Sequence, residues 1–183
     1  MARAKGFTKD DRVWKSMKKN LRAKKSQINI GWFDQYYGAE NNFLPMAQVA
    51  QWVEEGRRSG GWGGKTPPRP VIRTHFIPAL AESGEFVKAV IPLIHQVAMG
   101  NMTWNGLHKK LAPSVLFKFQ YALKQYSAKP NAPVTVKLKG FNDPWVETGT
   151  LINSARFEVV DFSPSFYKKN AIVTGKQIGR AHV

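Results

Sequence analysis

A chain of 183 residues with 43% hydrophobic and 12% aromatic content can build one domain with a real core and is not a disordered composition. No apolar run approaches the roughly 18–20 residues that cross a bilayer, and the basic N-terminus has no apolar stretch behind it, so neither a membrane span nor a secretory signal is expected. The absence of cysteine excludes disulfides, thiol nucleophiles and Cys-ligated zinc, while 28 Lys+Arg against 12 Asp+Glu leave a net charge of +16.

Half of that charge lies in the first 25 residues, where ten basic and two acidic side chains sum to +8. Residues 8–25 read as an amphipathic helix. Thr8 can cap it, Asp10 and Asp11 suit its first turn, and Trp14, Met17 and Leu21 form a narrow apolar stripe. Arg12, Lys15, Lys18, Lys19, Arg22 and Lys25 make up its basic surface. Such a field attracts nucleic acid, anionic surfaces or acidic proteins, or serves only to solvate a helix face.

SQINIGWF alternates through Ile28, Ile30 and Trp32 and reads as a strand, and residues 34–42 as a loop. Pro45 opens a short helix with Met46, Val49, Ala50 and Val53 on one face and Gly56 placed to end it. Residues 57–70, RRSGGWGGKTPPRP, hold four glycines and three prolines in 14 positions and read as an extended loop. A short helix is expected over 73–82. Another spans 85–99, kinked or split by Pro92, and a third spans 107–127, beginning nearer Pro113. PVTVKLKGF alternates Val134, Val136 and Leu138 and reads as a strand, 149–155 as a helical turn, and ARFEVVDF as a strand. The fold expected is α+β, with several helices packed on a small antiparallel sheet.

The last seven residues, QIGRAHV, can be written as CAG-ATC-GGA-AGA-GCA-CAC-GTC, a string that matches a short-read sequencing adapter. We read 177–183 as translated adapter and 1–176 as a single domain whose natural C-terminal element is missing. Arg180 and His182 therefore carry no functional argument.

No catalytic constellation emerges. His75, His95 and His108 match no metal-ligand spacing, and the adjacent Glu54 and Glu55 point to different helix faces. Asp143 and Glu147 read as turn and capping groups. Gly64-Lys65-Thr66 ends like a phosphate-binding loop, but a helix precedes it and PPRP bars a helix after it. Neither an enzyme, a metal nor a cofactor is expected.

Pro67, Pro68 and Pro70 fix the chain as extended, so that Arg69 and Arg73 can project toward a carboxylate or phosphate on a neighbour. We take Arg57, Arg58, Trp62, Lys65, Pro67, Pro68, Arg69, Pro70 and Arg73 as a subunit-contact loop. In the second block, Glu147-Thr148-Gly149-Thr150-Leu151, Gly149 can take positive φ, Thr148 or Thr150 can cap the next turn, and Leu151 enters the core; with Ser154 these form a structural turn.

These two blocks, VAQWVEEGRR…KTPPRPVIRTHFIPAL and PWVETGTLINSARFEVV, come in an order and spacing that resemble the neck and tail-completion proteins of long-tailed bacteriophages. The likeness covers roughly residues 1–165 and departs from the family pattern at Glu55 and Val71, where many members carry aromatics. It implies a structural virion protein, made in the host cytoplasm, whose copies form a ring that completes the tail and joins it to the head. Other head or tail proteins would be partners, with DNA in the channel as a further contact and no membrane. The alternative is a sequence-independent nucleic-acid-binding protein using Lys15, Lys18, Lys19 and Arg22 on phosphates, with Trp14 or Trp32 stacking on bases.

Overall fold

Two short strands distant in sequence meet in an antiparallel ribbon that one long helix covers. The computed structural model describes residues 11–39, 42–57, 66–127, 130–145 and 149–162. Strand β1 (Ser26–Gly31) pairs with β2 (Arg156–Asp161), with Ser26 opposite Asp161 and Gly31 opposite Arg156. That register sets Ile28 against Val159 and Ile30 against Phe157, so the apolar residues of both strands share a face. A two-stranded ribbon is marginal alone; helix α5 (Trp104–Gln125) packs against both strands.

Helix α5 also organises the other elements. Its buried residues Leu107, Leu111, Val115, Phe119 and Leu123 recur every four positions, with Ala112 beside them. Leu107 and Leu111 pack with Val97 of α4 (Gly84–Ala98). Val115, Phe119 and Leu123 join Met46 and Ala50 of α2 (Met46–Glu55), Val71, Phe76, Trp145, and Leu151 and Ile152 of α7 (Thr150–Ser154). The Phe119 ring meets Phe76 edge-on at 5.1 Å and Trp32 at 5.7 Å. A π-helical turn (Ile72–Phe76) runs into α3 (Ile77–Ala81), and the basic helix α1 (Asp11–Arg22) lies on α4. The α+β fold class is as the sequence suggests, with a sheet of two strands.

The expected third strand is instead a helix, α6 (Pro133–Lys139). Pro133 occupies the first turn, where its missing N–H costs nothing, and Gly140 ends the helix at φ 78°, donating to Val136 O at 2.8 Å. The alternation that suggested a strand also puts Val134 and Leu138 at i, i+4 on one helix face. Two further corrections concern prolines. Helix α5 starts at Trp104, well before Pro113, because Thr103 Oγ1 accepts from the Gly106 amide at 3.1 Å. Helix α4 is not split at Pro92, and Ser83 caps it through the Phe86 amide. Both prolines are exposed, so the carbonyls they leave unpaired face water. The Thr8 cap and Asp10 lie outside the described residues.

Polar ties fix the ribbon to the helices. Trp32 Nε1 donates to Leu151 O at 2.6 Å, and Gln120 Nε2 to Ile152 O at 3.1 Å. The buried Ser26 hydroxyl and His108 Nδ1 share a hydrogen bond of 2.7 Å between β1 and α5. That separation matches a nucleophile–base pair. Yet Ser26 is only 7% exposed and sits within the strand pairing, so the bond acts as a structural tie.

Burial lowers the His108 pKa below its ordinary value. The unfolded chain then binds the extra proton more readily than the folded one. The stability from neutral His108 is complete above the unfolded pKa of about 6.5 and is lost as pH falls through the folded pKa. Melting curves at neutral and mildly acid pH should show a larger drop for wild type than for His108→Gln; equal drops would contradict this assignment.

Candidate functional site

The Gly/Pro loop leaves and re-enters the body through a braced joint. Gly56 ends α2 at φ 77°, and a Cβ there would lie 2.7 Å from both Pro68 N and Thr66 O. Only glycine lets the returning chain pass so close. Arg57 and Thr66 exchange two backbone hydrogen bonds of 3.0 Å, closing the neck of the loop. One step further in, the Arg69 amide donates to Val53 O at 2.9 Å. Glu54 completes the joint: its carboxylate, 7% exposed, accepts from the amides of Ile72 at 3.1 Å and Arg73 at 3.3 Å. Those amides belong to the first turn of a helical segment, where they have no intrahelical partner and favour a negative charge.

Arg69 corrects the sequence expectation. It does not project toward a neighbour but is buried, at 6% exposure, with Nη2 donating to Pro130 O at 3.2 Å. Burial lowers its pKa, partly offset by nearby Tyr126. Burial raises the Tyr126 pKa, with Arg69 acting against that rise and Glu54 adding to it. Glu54, Arg69 and Tyr126 are thus all buried and influence one another electrostatically. The physical reason is local. An extended Pro-x-Arg-Pro segment pinned at Val53 and Ile72 must turn one side chain inward, and the guanidinium finds a carbonyl there.

Of the other described loop residues, Arg57, Pro67, Pro68 and Arg73 face outward. Arg73 pairs with Glu55 at 3.0 Å, and Arg57 lies over the Trp52 ring at 4.4 Å. Pro67 and Pro68 are exposed and Pro70 half-buried. Arg58, Trp62 and Lys65 lie outside the described residues, as do Glu147 and Thr148 of the second block. In that block Gly149 takes φ 77° and is itself the N-cap of α7. Leu151 is buried, and Ser154 Oγ donates to Leu151 O at 3.0 Å. Asp143 caps the Trp145 amide at 3.0 Å.

The basic residues of α1, with Lys25 just beyond its end, form a separate surface. Arg12, Lys15, Lys18, Lys19, Arg22 and Lys25 are all exposed, and Lys18 lies over the Trp14 ring at 4.9 Å. No residue of α1 is fully buried; Asn20 fastens it by donating from Nδ2 to Ala98 O at 3.0 Å.

Sequence reasoning missed Glu54 as a structural ligand and the tie between Ser26 and His108. Nothing local distinguishes Glu54 from Glu55; only the returning chain does. Among the described residues no three His, Asp or Glu side chains come together as a metal site, and no helix is long and apolar enough to cross a membrane. Compared with models of known protein families, with curated proteins and with solved structures, the chain matches none.

Two substitutions test the joint. Gly56→Ala must both hold a strained φ and push the 66–68 backbone aside, a cost of about 2–4 kcal/mol. Glu54→Ala leaves two amides without partners and should cost about 2–4 kcal/mol. Each should lower the Tm by several degrees in thermal melts, whereas Glu55→Ala, on the exposed side, should shift it by no more than about 2 °C.

Proposed function

We propose that the chain is a structural virion protein of a tailed bacteriophage, acting at the neck or tail end, where copies assemble into a ring that completes the tail and joins it to the head. The braced loop is the observation that carries this reading. A Gly/Pro loop whose two ends are pinned by Glu54, Gly56, the Arg57–Thr66 bridge and the buried Arg69 is mounted on a rigid base. Such mounting suits insertion into a neighbour, because the ordering cost at the loop base is already met within the monomer. Its place within the first of the two blocks that resemble the neck and tail-completion proteins points the same way.

Surface apolar residues support a self-associating role. Phe117 and Tyr121 stack at 6.3 Å on the outward face of α5, with Phe117 68% exposed. Val134 and Leu138 make a similar i, i+4 ridge on α6, at 71% and 83% exposure. Burying one such side chain contributes about 1.5–3 kcal/mol, and association must overcome about 4–15 kcal/mol of lost freedom, so both ridges are needed besides the loop.

In sedimentation velocity the full chain should form a species larger than a dimer as concentration rises. Phe117→Asp combined with Leu138→Asp should leave the fold intact and weaken assembly on the order of a hundredfold. Wild-type chain that stays monomeric at every soluble concentration, or a double variant that assembles as well as wild type, would count against the proposal.

A further inference from the structure

We infer that the outward stripe of α1 is a phosphate-backbone contact for duplex nucleic acid, read without regard to sequence. The burial pattern of the helix orients it. Its half-buried side chains are Met17, Asn20 and Leu21, and every other residue of α1 is exposed. At 100° per residue, the mean direction of Lys15, Lys19 and Arg22 lies about 175° from that of the docked trio. These three cations stand at i, i+4 and i+7, within about 60° of arc and about 10 Å of rise. Arg12 and Lys18 flank them, extending the row to about 15 Å.

The row is held rather than trailing. The Asn20 bond to Ala98 O fastens one end of the helix, and just beyond it Lys24 pairs with Asp161 at 2.6 Å. Among the described residues Lys15, Lys19 and Arg22 make no ion pair. Their charge is therefore not spent on any described carboxylate and is open to a partner. A strand of B-form DNA carries one phosphate per about 3.4 Å of axis, so a row of about 15 Å faces four or five of them.

Two other anionic partners fit less well. A headgroup surface would take the apolar face of an amphipathic helix, but Met17 and Leu21 are already half-buried against the protein and Lys18 covers one face of Trp14. An acidic protein would need apolar contact at the centre of its interface, and the arc from Arg12 to Lys18 holds no apolar side chain. Apart from Asp11 in the first turn, that arc holds only cations, which is what a repeating phosphate chain requires.

The test is fluorescence anisotropy of a labelled duplex of arbitrary sequence with the 183-residue chain. The log of affinity should fall with the log of salt concentration at a slope of about −4, weakening binding by about two orders of magnitude for a fourfold rise in salt. Lys15→Glu/Lys19→Glu/Arg22→Glu should abolish most of the binding, and the neutral Lys15→Gln/Lys19→Gln/Arg22→Gln should flatten the slope by about 3. Circular dichroism should show both variants folded, since none of the three residues is buried. Lys88→Glu/Lys124→Glu/Lys137→Glu changes net charge equally on other helices and should bind far more tightly than the α1 charge reversal. Equal loss from the two charge-reversed variants would make the effect one of net charge and overturn the assignment. So would a slope near zero, or polyglutamate or anionic-lipid vesicles binding as tightly as the duplex and with the same dependence on Lys15, Lys19 and Arg22.

Discussion

The carboxylate of Glu54, bonded to the amides of Ile72 and Arg73, decides how the middle of the chain is threaded. A buried carboxylate tolerates little slippage, because each displaced bond leaves a charge or an amide unsatisfied away from water. With that bond in place, residues 66–73 return alongside 53–57 through the links from Arg69 to Val53 and between Thr66 and Arg57. Val71 and Phe76 are thereby delivered to the stripe of α5 that also holds Met46, Ala50 and Leu151. The same bond thus sets the loop base and seats a large share of the core.

Much of this architecture can be read from local pattern. The two strands, the helix after Pro45 and the turn at Gly149 are marked by alternation, by a proline that fits a first helical turn, and by a glycine that accepts positive φ. The failures share a cause. Val134, Val136 and Leu138 satisfy both period two and i, i+4, and only the Pro133 and Gly140 boundaries separate a strand from the observed helix. Pro92 and Pro113 break helices when their surroundings are dry, whereas these two face solvent, which sequence periodicity alone did not weigh.

The candidate site was legible in part. The Gly/Pro loop stands out in composition, but the inward turn of Arg69 depends on the carbonyl of Pro130, 61 residues away. Glu54 and Glu55 carry the same chemistry and differ only in which face meets the returning chain. Of the expected stripe of Trp14, Met17 and Leu21, the last two dock together with Asn20 while Trp14 stays 50% exposed, and that sets the outward direction of the basic stripe. Apolar ridges and basic stripe occupy separate helices. The proposed self-association and the proposed polyanion binding can therefore be perturbed independently.

In the proposed assembly, copies of this chain close into a ring, with the braced loop of each engaging its neighbour. Electron microscopy of the purified 183-residue chain at high concentration tests this assembly. Closed particles of uniform subunit number around a central opening are the predicted result. Fields of single subunits, or open filaments of indefinite length, would contradict it.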